Sequence, residues 1–170
     1  MNEAKKLIDT PSQTAGPFLH IGCTHRITVI NIFKNELGLI PFQDISDDEA
    51  INIKGKIYDG NDVPILDAMI ETWQCDANGN YSSNQGFARI VTDFKTGEYK
   101  LKTIRPGNEI NTDGSLSASY ITFWIVARGM NRPLVTRMYF LENDLKNDLM
   151  LNNIKIEDRL NTLIPYTEDN

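Results

Sequence analysis

The stretch Ala68-Met-Ile-Glu-Thr-Trp-Gln-Cys75 alternates with a two-residue rhythm, and Asp76-Ala-Asn-Gly79 closes it with a turn. Successive side chains of a strand point to opposite faces, so Ala68, Ile70, Thr72 and Gln74 share one face and Met69, Glu71, Trp73 and Cys75 the other. The Asn-Gly pair supplies the backbone angles that a tight turn requires. Upstream, Ile51, Ile53 and Ile57 predict a strand that ends in the turn Tyr58-Asp-Gly-Asn-Asp62. Downstream, Phe87 to Asp93, Glu98 to Thr103, Tyr120 to Ala127 and Val135 to Phe140 read as strands, with Lys95-Thr-Gly97 and Arg105-Pro-Gly107 as turns between some of them. Short strands at near-regular spacing with turn chemistry between them predict an all-β sandwich or barrel. Before this series, the β-branched run Ile27-Thr-Val-Ile-Asn-Ile-Phe33 predicts a further strand, and Ser46-Asp-Asp-Glu49 predicts one capped turn leading into the next. The three acidic residues of that turn read as a solvated surface.

At 170 residues the chain suits one domain with a real core. Residues 1–22, with Pro11, Gly16 and Pro17 and no periodicity, read as an extended N-terminal arm. Residues 23–170 read as the sandwich, with its C-terminal strands short or missing. In the polar tail after Glu142, Leu145, Leu149, Leu151 and Ile154 are expected to anchor short helical turns. The net charge of -6 argues against a nucleic-acid partner, and no apolar run reaches the length of a membrane span. No hydrophobic signal core follows Met1-Asn-Glu-Ala-Lys-Lys6, which gives a cytoplasmic expectation. Cys23 and Cys75 are then expected to be reduced, buried thiols.

Four blocks carry a resemblance. They are the arm Thr10-Pro-Ser-Gln-Thr-Ala-Gly-Pro-Phe-Leu-His-Ile-Gly22, the hairpin Gly55 to Tyr81, the series from Gly86-Phe-Ala-Arg89 to Thr103-Ile-Arg-Pro-Gly107, and Phe123-Trp-Ile-Val-Ala-Arg-Gly-Met-Asn-Arg132 with Thr136-Arg-Met-Tyr-Phe140. The chain resembles the intradiol ring-cleaving dioxygenases, and within them the α-type chains of the protocatechuate-cleaving enzymes. The resemblance implies an intradiol dioxygenase-type β-sandwich paired with a β-type partner in an αβ hetero-oligomer. The partner is expected to hold a non-haem Fe(III) through two tyrosines and two histidines. The assembly is expected to cleave protocatechuate with O2 to 3-carboxy-cis,cis-muconate.

The same resemblance places Tyr81 at the first tyrosinate position, Asn108 or Glu109 at the second, and Tyr120 and Thr122 at the two histidine positions. The chain's two histidines, His20 and His25, both precede the sandwich pattern. Tyr81 is therefore the one retained ligand-type residue. One phenol, or at most two, is too few for a tight ferric site, so no metal is expected on this chain.

What the resemblance leaves to the chain lies elsewhere. Thr14, Gly16, Pro17 and Phe18 would form part of the wall around an aromatic substrate bound by the partner, with phenylalanine at position 18 where the family usually has tyrosine. Arg128 would meet the substrate carboxylate, for which a guanidinium has paired donors, or would simply ion-pair at the surface. Arg132 and Arg137 are the neighbouring alternatives, read as structural. The loop Ser82-Ser-Asn-Gln85 and the tail are shorter than the family pattern, and an exposed sheet edge is expected to follow from missing strands. The competing reading is a sandwich interaction module, or a decayed subunit that binds no catechol.

Overall fold

A computed structural model describes residues 8–24, 38–140, 148–155 and 157–167. The order of elements is α1 (Pro17–Cys23), β1 (Ala50–Lys56), β2 (Met69–Trp73), β3 (Phe87–Val91), β4 (Glu98–Ile104), β5 (Tyr120–Val126), β6 (Leu134–Tyr139), α2 (Leu149–Asn152) and α3 (Glu157–Asn161). The strand expected over Ile27–Phe33 lies outside the described residues, as do His25 and Leu145.

The strands form two antiparallel sheets, β1–β4 and β3–β2–β5–β6. Alternation decides which side chains meet between them. Ile70 on β2, Ala88 and Ile90 on β3, and Ile121, Phe123 and Ile125 on β5 are buried together with Leu101 of β4, and Ile53 and Tyr99 pack on them from the two-stranded sheet. Two sheets burying facing rows of this kind make a sandwich, as the two-residue rhythm predicts. Thr72 and Gln74 continue the buried row of β2. Gln74 Oε1 accepts from the Thr103 hydroxyl at 2.8 Å, and its Nε2 donates to the carbonyl of Ile104 at 3.0 Å.

Turn chemistry falls where the residues demand it. Asp93 Oδ1 accepts from the amides of Lys95 and Thr96, and Gly97 takes the positive φ of 70° that closes the turn. Ser46 is a single turn ahead of β1, its hydroxyl donating to Glu49 at 2.8 Å. Along the outer edge of β3, the Arg89 amide donates to the Gly38 carbonyl and the Gly86 amide to that of Pro41. At the other end of that sheet β6 keeps Leu134 and Val135 exposed.

Three expectations are corrected. The arm is not extended throughout, because residues 17–23 form α1. Pro17 opens that helix at a position where its missing N–H costs nothing. In the tail, Leu151 is buried and Ile154 packs with Leu160 and Leu163 against Ala118, Tyr120 and Tyr139, but Leu149 faces solvent. Both cysteines are free; Cys75 is buried as expected, whereas Cys23 is only half-buried. Among the described residues no helix is long and apolar enough to cross a membrane.

Candidate functional site

A cleft of about 390 Å³ opens where the start of β5 meets the loop after β4 and the turn before α2, with Glu109, Tyr120, Arg137 and Asp148 among its walls. The residues that build it come from three local arrangements. The turn after β2 is held by Asp76, whose Oδ1 accepts from the amides of Asn78 and Asn80 at 2.8 and 2.9 Å. That turn carries Tyr81, which stacks on Trp73 with ring centroids 5.9 Å apart and planes 9° from parallel. The loop after β4 lies directly against the turn, with the Gly107 amide donating to the Asp76 carbonyl at 2.8 Å. A side chain at position 107 would set its Cβ 2.4 Å from the Ala77 oxygen, and one at position 79 would meet the Asn108 oxygen at 2.2 Å. Glycine at both positions is what brings Glu109 up to Tyr81.

The third arrangement is Tyr120 itself. As the first residue of β5 it points to the sheet face away from the core, and its hydroxyl donates to Glu109 Oε2 at 2.7 Å. The Tyr81 hydroxyl lies 3.3 Å from that of Tyr120 and 3.4 Å from the same carboxylate oxygen. Across the β5–β6 ladder, the Arg137 guanidinium sits 4.0 Å from the centre of the Tyr120 ring and donates to the Tyr139 hydroxyl at 3.3 Å. Asp148 closes the floor. It is buried, accepts from the Ala118 amide at 2.9 Å, and caps α2 through the amides of Met150 and Leu151.

Three of the four positions assigned to iron ligands thus converge, and their chemistry differs from that of a ferric site. The sequence left Asn108 and Glu109 open; Glu109 reaches the two phenols, while Asn108 donates to the Ser117 carbonyl at 2.9 Å. Burial pushes the Tyr120 phenol well above the ordinary tyrosine range, reinforced by the hydrogen bonds it makes to Tyr81 and Glu109. Burial also raises the Tyr81 phenol, although its bond to Tyr120 pulls the other way. Both are therefore neutral near pH 7, already hydrogen-bonded, and poor sources of a tyrosinate. Thr122, half-buried one turn of the pleat further on, offers a hydroxyl where an imidazole is needed. This donor set does not fit the two-tyrosinate, two-histidine site.

The other predicted site residues gather at the far end of β5. Thr14 Oγ1 accepts from the Gly129 amide at 2.8 Å, and the Ser12 hydroxyl donates to the Asn131 carbonyl at 2.8 Å, so the arm is tied down beside Arg128. Arg128 pairs through Nε with Asp67 Oδ2. Gly16 accepts the Leu19 amide at the start of α1, Pro17 is the first residue of that helix, and Phe18 is 81% exposed. Eight residues of strand and its continuation separate Arg128 from Tyr120, about 26 Å at the rise of a strand. The arm and Arg128 are therefore brought together, but not to this chain's own cleft. The sequence reading treated Arg137 as a structural alternative to Arg128 and missed its place over Tyr120. The signal that could have found it is the β5–β6 register, which sets Arg137 opposite Thr122.

A family profile described as Dioxygenase matches residues 34–165. The chain belongs to the intradiol dioxygenase family. Among its relatives is the protocatechuate 3,4-dioxygenase alpha chain of Pseudomonas putida, 36% identical over 167 residues that cover 93% of this chain and 83% of that one. The protocatechuate 3,4-dioxygenase beta chain of Burkholderia cepacia is 28% identical over 106 residues, 54% of this chain and 45% of that one. The fold matches catechol 1,2-dioxygenase from Pseudomonas arvilla C-1 with a TM-score of 0.57 at 21% identity, covering 64% of this chain and 41% of that chain. This intradiol dioxygenase chain thus spans most of its α-chain relative and less than half of the catechol enzyme.

Proposed function

We propose that the chain is the α-type, non-iron-bearing subunit of a protocatechuate 3,4-dioxygenase, working in the cytoplasm as part of an αβ hetero-oligomer. The observation that carries the reading is the Tyr81–Glu109–Tyr120 cluster. It fills three ligand positions with groups bonded to one another, on a chain whose relative is an alpha chain. In this reading a ferric ion on the β-type partner would activate the bound diol toward oxygen, and the assembled enzyme would open the ring between the two hydroxyls to give 3-carboxy-cis,cis-muconate.

In this reading the chain's own contribution is a wall and a charge. Thr14, Gly16, Pro17 and Phe18 form part of the rim of the partner's substrate pocket, and Arg128 faces the substrate carboxylate. Two features support it. The arm is latched to Gly129 and Asn131, next to Arg128, and Phe18 stands out from it with most of its ring uncovered. Both lie at the opposite end of β5 from the cleft, as suits groups that serve a site on another chain.

The test is to purify the chain alone and co-expressed with an iron-bearing β-type chain, and to measure bound iron and protocatechuate-dependent oxygen uptake in each. Iron far below one per chain and no ring cleavage are expected of the chain alone, with both restored in the complex. Stoichiometric iron together with ring cleavage in the chain alone overturns the reading.

A further inference from the structure

Asp67 and Arg128 lie in turns just beyond the last bonded pair of the β2–β5 ladder. Met69 faces Val126 in that pair, and Asp67 and Arg128, two residues further out on each side, meet through their side chains. The two side chains differ sharply in setting. That of Asp67 is only 16% exposed, whereas that of Arg128 is 71% exposed.

The backbone under each is fixed. Ala68, next to Asp67, is fully buried; its amide donates to the Thr92 hydroxyl and its carbonyl accepts from the Thr92 amide, both at 3.0 Å. Arg128 stands in the turn from Ala127 to Met130, closed by a 3.2 Å bond between those residues. Gly129 supplies the positive φ of 84° that the turn needs. The arm then adds its own bond, from the Gly129 amide to Thr14.

We infer that Asp67 is a positioning residue for Arg128. The Asp67 carboxylate ion-pairs with the guanidinium from its Nε side, the side nearest the backbone. The terminal amino groups are left at the exposed end, where a planar carboxylate can meet them side by side. A free arginine gives up rotamer freedom when it binds an anion, whereas one already held by its Nε edge has less to lose. Asp67 also adds a negative charge near the incoming carboxylate. Solvent around the exposed guanidinium screens that repulsion, so orientation outweighs it. The ligand class selected is a catechol bearing a ring carboxylate, over one without it. The inference rests on the contact proposed above between Arg128 and substrate.

The test uses the complex with the iron-bearing partner and reads the ratio of kcat/KM for protocatechuate over that for catechol. Loss of fold or assembly lowers both rates, whereas loss of carboxylate recognition lowers the ratio. Arg128→Ala is expected to lower the ratio about tenfold or more, as loss of a charged, paired contact does. Asp67→Ala is expected to lower it about fivefold through KM for protocatechuate, and Asp67→Asn, which keeps the shape but removes the charge of the ion pair, about as much. An unchanged or raised ratio in Asp67→Ala, beside a lowered one in Arg128→Ala, overturns the positioning role alone. An unchanged ratio in Asp67→Asn overturns the ion-pair clamp. An unchanged ratio in Arg128→Ala overturns the substrate contact itself, and the inference with it.

Discussion

The Tyr120 hydroxyl donates to Glu109 Oε2 at 2.7 Å, and the Tyr81 hydroxyl approaches both groups, so one carboxylate gathers two phenols from separate elements. Removing that acceptor strands two half-buried hydroxyls. Glu109→Ala is expected to cost about 1–2 kcal/mol. At the usual scaling for a chain of this size, that lowers the unfolding midpoint by about 3–6 °C. Glu109→Gln, which keeps an acceptor, is expected to lose about half as much, and thermal unfolding followed by circular dichroism measures both.

The raised phenols set a sign for alkaline stability. Both Tyr81 and Tyr120 sit above the ordinary value of 10.0, so the folded chain holds protons that the unfolded chain gives up first. Their contribution is fully present below about pH 10 and is lost as pH rises beyond it. Urea unfolding between pH 9 and 11 is expected to show stability falling with pH. The fall should be shallower in Tyr81→Phe/Tyr120→Phe, which has no phenol to titrate there.

The contact between the Gly79 turn and the Gly107 loop tolerates no side chain. In Gly107→Ala the new Cβ would lie 2.4 Å from one backbone oxygen and 2.7 Å from a backbone nitrogen, so the loops must part. A loss of about 2–3 kcal/mol is expected, measurable as a lower urea midpoint. Because the same shift separates Glu109 from Tyr81, the alkaline signature of the phenols should weaken with it.

The latch between arm and sandwich is a small, local prediction. Thr14→Val keeps the shape of the side chain and removes the acceptor of the Gly129 amide. Exposed bonds of this kind are worth about 0.5–1.5 kcal/mol. Faster amide exchange at Gly129 and quicker proteolytic cutting within residues 8–16 are expected, with the global unfolding midpoint nearly unchanged.

Much of this was legible from residues alone, for physical reasons that also mark where legibility ends. Alternation in Ala68–Cys75 and glycine at 79 and 97 fix strands and turns, because the pleat and positive φ leave few other choices. The replaced ligand positions were legible as identities. Their mutual bonding was not, since Tyr81, Glu109 and Tyr120 are separated by 28 and 11 residues and meet only through the Gly79–Gly107 contact. Arg137 was missed because a cross-strand neighbour depends on register, which composition does not encode. The helix at Pro17–Cys23 was missed because Pro11, Gly16 and Pro17 read together as a break in regular structure, which outweighed the favourable first-turn position of Pro17.

Leu151, Leu160 and Leu163 lean on Tyr120 and Tyr139, and the Tyr139 amide donates to the Leu163 carbonyl at 2.8 Å. The tail is thus seated on Tyr120, the residue that the resemblance sets at a ligand position. Here the fastening is a ring of phenols, a carboxylate and a guanidinium, supplied by the chain at synthesis. Under the function proposed above, folding of this chain is expected not to depend on iron supply, and a chelator that strips the β-type partner is expected to leave this chain folded.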